Sequence, residues 1–179
     1  ILIITNLITM YNYGMDKIRT RIGDSMFISL SISPLFPYQY ANSRRIACDT
    51  FGSVNESQYM LNSVSYGWWM NGKLYNYNDP DQLTLYRKFT GTTYSETDAR
   101  TRVTGAVIAG TLLINGDNLS DKNAQKRAVS YLTNKDINNV ARAGISFKPV
   151  EGNTGSSAAD TFVRDCGENT YYIAVFNYS

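Results

Sequence analysis

The sequence predicts an α/β fold: about four βα units, the content of half a (β/α)8 TIM barrel, followed by the beginning of an antiparallel β domain. Strand-like runs alternate with amphipathic helical stretches between Tyr11 and Arg142, the pattern of a parallel sheet with crossover helices. Acids stand at or just after three of the strand ends, as Asp49, as Asp79 with Asp81, and as Asp117. Past Gly144 the composition turns to Gly, Ser, Asn and Ala and then to β-rich segments. Residues 1–145 are therefore expected to form the half barrel, and residues 146–179 the start of a β-sandwich-like domain.

Taken in order, Tyr11 to Ile22 places Met15, Ile18 and Ile22 at helical spacing;. Ser25 to Ser33 is rich in β-branched and aromatic residues and ends at Pro34, which predicts a buried strand;. A loop through Pro37 leads to Arg45–Thr50, a short apolar run closed by an acid. Cys48, inside that run, is expected to be a buried small side chain. Glu56 to Met70 puts Tyr59, Met60, Val64 and Trp68 near one helical face, with Trp68 and Trp69 expected to pack in the core. Asn71-Gly72 is a turn signal, and Lys73 to Asn78 then reads as a strand running into Asp79-Pro80-Asp81. Ser95 with Asp98 forms a capping-box-like start to a helix carrying Ala99, Val103, Ala106 and Val107;. Thr111 to Ile114 gives a fourth strand, closed by Asn115-Gly116-Asp117, where Asp117 reads as a loop cap. Ser120 is the expected cap of a helix through Tyr131 with Ala124, Ala128, Val129 and Leu132 inward, and Asp136 to Arg142 adds one more. Glu151 to Asp160 is a loop. Thr161–Val163 and Tyr171–Tyr178 read as antiparallel strands about a Gly167-Glu168-Asn169 turn.

Composition narrows the chemistry. Basic residues exceed acidic ones by 17 to 15, a surplus too small to imply nucleic acid or an anionic membrane as partner. No apolar run reaches the ~18 residues of a membrane span. Ile1-Leu2-Ile3-Ile4 lacks the basic flank and small-residue cleavage site of a signal peptide, and with no initiator Met it suggests that the numbering begins inside a gene product. Cys48 and Cys166 have no paired-cysteine spacing, so neither a disulfide framework nor zinc is expected. The chain has no histidine, which rules out Ser-His-Asp and Cys-His catalysis within it. Neither common glycine-rich phosphate motif occurs. Carboxylates, Tyr and Lys remain as acids and bases.

Three segments carry a more specific signal. Arg45-Ile46-Ala47-Cys48-Asp49 has R-x-x-x-D spacing, Tyr77-Asn78-Asp79-Pro80-Asp81-Gln82-Leu83 contains N-D-P-D, and Glu96 leads through a helix to Gly116-Asp117-Asn118-Leu119. In this order and spacing, over residues 11–143, they resemble the α-galactosidases of glycoside hydrolase families 27 and 36, more closely the former. The resemblance implies a retaining glycosidase acting on terminal α-galactosides, with no metal or organic cofactor and a carbohydrate as partner. Asp49 would be the general acid/base. Arg45, four residues earlier on the same strand face, would bind sugar hydroxyls or orient that carboxylate. Asp81 would contact the sugar, and Asp79 would contact it or brace the loop.

The family's nucleophile is an Asp in a K-x-D motif on an upstream strand. No such motif precedes Tyr11, so the chain alone is expected to be inactive. Ile32-Ser33-Pro34-Leu35-Phe36 lacks the carboxylate of galactose-specific members, and Gln82 stands where the family has Met. N-acetylgalactosaminides, arabinopyranosides and isomaltose-type glucans stay open as substrates. The other class of reading is a non-catalytic sugar-binding or assembly module. A half barrel bares two strand edges, which predicts that copies associate through them.

Overall fold

The computed structural model describes residues 6–31, 33–110, 113–152, 154–155 and 157–179. The chain is a mixed α/β protein, with five α-helices and two three-stranded sheets among the described residues. Helix α1 (Leu7–Ile22) precedes β1 (Ser29–Leu30) and β2 (Ser43–Arg45), which are joined by a loop with a 3-10 turn at Tyr38–Tyr40. Helix α2 (Val54–Gly67) crosses over to β3 (Tyr77–Asp79), and α3 (Glu96–Ile108) follows. The strands β1, β2 and β3 pair in that order, all parallel, with Ser29 opposite Ser43 and Arg45 opposite Asp79. Helices α4 (Lys122–Leu132) and α5 (Lys135–Arg142) come next. Strands β4 (Lys148–Pro149), β5 (Thr161–Asp165) and β6 (Tyr171–Val175) then form the antiparallel sheet.

Local chemistry explains where the elements depart from the sequence expectations. Helix α1 starts at Leu7, four residues before the expected Tyr11, because the Asn6 side chain caps the Thr9 N–H at 2.8 Å;. Only Met15 of its expected apolar face is fully buried; Ile18 is exposed. The expected strand Ser25–Ser33 contracts to Ser29–Leu30. Arg19 from α1 donates to the carbonyls of Gly23 and Met26 and holds that stretch as a turn; Ile32 lies outside the described residues. Lys73–Tyr75 belong to the turn rather than to β3: the Gly72 N–H binds the Tyr75 carbonyl, and the Asn71 side chain spans to the Asn76 and Gly110 carbonyls.

The expected fourth strand lies partly on residues 111 and 112, outside the described residues, and Leu113 and Ile114 are not in a strand. A bridge survives, with Leu83 parallel to Asn115 and the Leu83 N–H on the Ile114 carbonyl at 2.7 Å. Helix α4 is capped by Asp121, not Ser120, since the longer carboxylate side chain reaches the Asn123 and Ala124 N–H groups. Val129 faces solvent. The turn between β5 and β6 is as expected, with Gly167, Glu168 and Asn169 all at positive φ;.

Packing joins the two sheets. Met60, Leu61 and Val64 of α2 share one buried cluster with Ile108, Phe147, Phe162, Ala174 and Phe176. That cluster crosses the boundary expected at residue 145. Gly105 of α3 faces Met60 and Leu61; a β-carbon there would sit at ordinary contact distance from Leu61 and press only on the end of the Met60 side chain;. A second cluster holds Leu83 and Leu85 against Ala99, Val103, Ala106 and Val107, the face expected of α3. Trp68 packs at the edge of the first cluster, while Trp69 is exposed, contrary to expectation, because α2 gives way to a 3-10 turn at Trp68–Met70;.

The starts of α2 and α3 are locked by reciprocal capping boxes, Ser53 with Glu56 and Ser95 with Asp98;. Asp98 also accepts the Val54 N–H at 2.9 Å, so one carboxylate serves both helix starts. Burial alone would raise the carboxyl of Glu56. Bonds from the Ser53 amide and hydroxyl and the Gly52 amide, with the charge of Lys88, outweigh it and hold Glu56 below its ordinary value. Asp98 is lowered likewise: burial is outweighed by the two Ser95 bonds, Val54 and Arg127.

Two outcomes follow for stability. Phe162→Ala should cost about 3–5 kcal/mol by urea unfolding, the range for a fully buried aromatic;. Since both capping carboxyls are depressed, their stabilisation is complete above their unfolded values of about 4. It is lost as pH falls through the lower folded values. The urea midpoint should therefore hold down to about pH 5 and fall below about pH 4, and the double variant Glu56→Gln, Asp98→Asn should blunt that fall.

Candidate functional site

Three side chains meet beyond the carboxyl ends of β2 and β3. Arg45, the last residue of β2, places Nη2 3.0 Å from Asp49 Oδ1 and Nη1 3.6 Å from Asp81 Oδ2. One guanidinium thus bridges two carboxylates from different loops. Arg45 and Asp81 are mostly buried, with side chains 14% and 15% exposed, whereas Asp49 is 71% exposed. Asp49 does not share the strand with Arg45, as had been expected. The strand ends at Arg45, and Ile46 turns off it with its N–H on the Asp79 carbonyl at 2.9 Å. The following loop carries Asp49 back over the guanidinium. Cys48 is exposed rather than buried, and its sulfur receives the Tyr59 hydroxyl at 3.5 Å.

Asp81 is held from several directions. Its Oδ2 accepts the Thr50 N–H at 2.8 Å, and its Oδ1 accepts the Gln82 N–H at 2.8 Å. The residue has φ of 68°, the left-handed region that costs most side chains energy and that Asp tolerates through local hydrogen bonds;. Asp79 stabilises this turn by accepting the Asp81 N–H at 2.8 Å and the Ser29 hydroxyl at 3.3 Å. With those bonds Asp79 braces the loop, and it makes no ion pair with Arg45 among the described residues.

Below the loops lies Arg102 of α3, fully buried. Its Nε donates to the Phe51 carbonyl at 2.7 Å, and Nη2 converges on the carbonyls of Pro80, Asp81 and Gln82 at 2.6, 3.1 and 2.9 Å. Burial draws its pKa down to about 10, against the pull of Asp81, Glu56 and Asp79, so it stays charged at neutral pH. The sequence reading passed over Arg102. The available signal was a cation one helical turn from Ala99 and Ala106, on the apolar face of an amphipathic helix.

The described residues hold no group of three or more acidic, Cys or His side chains arranged for a metal, and no helix long and apolar enough to cross a membrane. Next to Arg45 opens a cleft of about 260 Å³ lined by Ser31, Ser33, Arg44, Cys48 and Tyr59 among others. Arg45 Nε is buried without a hydrogen-bond partner, a group that native structures usually satisfy. Arg45 lines this cleft but Asp49 and Asp81 do not, and its wall mixes Ser31, Ser33 and Ser63 with Ile46 and Ala47. The carboxylates that accept and the guanidinium that donates beside it suit a neutral ligand that bears hydroxyl groups;.

The fold and site thus define an α/β protein with a carboxylate–guanidinium–carboxylate cluster at the ends of adjacent parallel strands. No protein-family model matches the chain, and a search of curated proteins finds no similar sequence.

Removing Arg102 would strand the carbonyls it serves. Arg102→Met should lower unfolding free energy by about 3 kcal/mol, since each buried unsatisfied polar group costs about 1–3 kcal/mol. Chemical denaturation measures this, and a change below about 0.5 kcal/mol would remove the role assigned to Arg102.

Proposed function

We propose that this chain carries the acid/base and sugar-binding elements of a retaining glycoside hydrolase for terminal α-galactosides. The observation that carries the reading is Arg45 set between Asp49 and Asp81. The order of the parallel strands supports a barrel-type origin. β1, β2 and β3 are neighbours in chain order, and the segment around Asn115 extends the series through Leu83. A (β/α)8 barrel requires such consecutive parallel neighbours and places its active site at the carboxyl ends of the strands. In this reading the edge of β1 is where further barrel strands, or a second copy, would pair.

Asp49 acts as the acid/base. It gives its proton to the glycosidic oxygen as the C1–O bond breaks and a carboxylate nucleophile bonds to C1. It then takes a proton from the water that releases the sugar. The nucleophile is expected from a strand outside these 179 residues, so this chain alone is not expected to turn over. Arg45 orients Asp49 through its Nη2. Asp81 keeps lone pairs free beyond Thr50 and Gln82 and accepts from the sugar;. Asp79 acts on the sugar through Asp81. No metal or organic cofactor enters such a mechanism.

One observation favours a second reading, a carbohydrate-binding module without catalysis. Asp49 is 71% exposed, and among the described residues nothing screens it from water, whereas an acid that must stay protonated needs a drier setting.

Calorimetry tests the main reading. Galactose should bind the 179-residue chain, and Asp81→Asn or Arg45→Met should weaken it about tenfold or more, the loss of one charged hydrogen-bond partner. N-acetylgalactosamine, arabinose and isomaltose titrated alongside identify the preferred sugar. Nitrophenyl α-galactoside should not be hydrolysed. If no sugar binds, or binding ignores both substitutions, the glycosidase reading fails; turnover sensitive to Asp49→Asn would instead show that the chain supplies its own nucleophile.

A further inference from the structure

The cleft of about 260 Å³ beside Arg45 differs in charge from the cluster it adjoins. Among the described residues that line it there is no carboxylate. Arg44 and Arg45 supply its charge, and Ser31, Ser33 and Ser63 supply hydroxyl groups, with Tyr59 of α2 at one side. Arg45 is already engaged by Asp49 and Asp81. Arg44 is not.

Arg44 is the middle residue of β2, and its backbone is fixed on both sides, opposite Leu30 of β1 and Asn78 of β3. The side chain is half-buried. Its Nε donates to the Ser33 carbonyl at 3.0 Å, which sets the direction of the guanidinium. Among the described residues that is its one hydrogen bond, and it pairs with no carboxylate. Other arginines drawn into the fold are spent: Arg102 serves the carbonyls of two loops, and Arg127 pairs with Glu96 while donating to the Leu85 carbonyl. The terminal N–H groups of Arg44 are left to the cleft. A cation entering there would meet no acid, and a wholly apolar guest would strip water from the guanidinium without replacing it. The cleft is smaller than the roughly 300–1,000 Å³ of sites for drug-sized molecules, so one small anion, or one anionic substituent, fills it.

We propose that this cleft is an oxyanion site, in which the terminal N–H groups of Arg44 grip a sulfate, phosphate or carboxylate group. A guanidinium held in one orientation matches two oxygens of such a group at once, and these charge-assisted bonds are stronger than those to a neutral ligand. The hydroxyls of Ser31 and Ser63, which bind no other group among the described residues, donate to its outer oxygens;. Two sources carry this chemistry: a free inorganic anion, or the acidic substituent of a sugar. Arg45 belongs both to this wall and to the Asp49–Asp81 cluster, so the second source would make the substrate of the proposed glycosidase an acidic saccharide. That part alone rests on the galactoside reading; the oxyanion site itself does not.

Calorimetry with sodium sulfate, galactose and galacturonate tests this, at an ionic strength held constant with sodium chloride so that general screening is the same throughout. Sulfate should bind the unaltered chain. Arg44→Met should weaken it about tenfold or more, the loss of one charged partner, and leave galactose as it was. Ser63→Asp keeps Arg44 but sets a carboxylate in the cleft, and it should weaken sulfate too, so the result does not hang on how well Arg44→Met folds. Arg142→Met, which removes an exposed arginine elsewhere, should change nothing. Galacturonate binding more tightly than both sulfate and galactose, with the gain lost in Arg44→Met, assigns the site to an acidic sugar; sulfate binding with galacturonate no better than galactose assigns it to a free anion. Absence of sulfate binding overturns the oxyanion site. So does binding that ignores both Arg44→Met and Ser63→Asp, or that falls equally in Arg142→Met. Sulfate binding without galactose binding sinks the galactoside reading and leaves this site standing.

Discussion

A single buried guanidinium organises the loops on which the candidate site stands. Arg102 emerges from α3, among residues that otherwise pack as an apolar face, and gives its donors to the carbonyls of Phe51, Pro80, Asp81 and Gln82. Those carbonyls belong to the loops after β2 and after β3. Backbone carbonyls in such loops have no ladder partner, and burying them without a donor would cost about as much as a lost hydrogen bond for each. The charge of Arg102 is tolerated because the same carbonyls and the nearby Asp81, Glu56 and Asp79 compensate its desolvation;.

On that foundation Arg45 and Asp81 are positioned by opposite means. Arg45 is the terminal residue of a strand, so sheet register sets its backbone, with Asp79 directly across. Asp81 sits in a left-handed turn that only its local hydrogen bonds and the Arg102 clamp make tolerable;. The third member, Asp49, pairs with Arg45 and with no other charged group among the described residues, and it faces water. The cluster therefore has two fixed members and one exposed one.

The rest of the chain serves the same end of the parallel sheet. The shared carboxylate of Asp98 sets α2 and α3 against one another at their starts, and Asp117 gathers the N–H groups of Leu85, Tyr86 and Arg87. The antiparallel sheet adds no residue to the site. It closes the core beneath α2 through Phe162 and Phe176, which is why a stretch read as a separate beginning shares packing with the first part of the chain.

Much of this was legible from residues alone, where the signal is local. The α3 capping box, its apolar stripe, the Asn71-Gly72 turn and the β5–β6 hairpin each depend on neighbours a few positions apart, and each is seen where expected. The order of the acids was legible too, since Asp49 closes a short apolar run and Asp79 and Asp81 follow the strand-like Lys73–Asn78. What residue spacing could not supply was any bond between distant segments: Arg45 reaching Asp81, Thr50 donating to Asp81, Arg102 serving two loops. Strand lengths also escaped it, because pairing, and not β propensity, decides where a strand stops. The stretch from Ser25 to Ile28 has the composition of a strand but is held in a turn and loop by Arg19 and Asn42. By itself the sequence determined which residues can do chemistry and roughly where helices begin, because capping and amphipathic spacing are properties of short windows. Only the tertiary structure decided that Asp49 and Asp81 answer to one guanidinium, since the loop geometry that joins them is set by a buried cation more than twenty residues away in the chain.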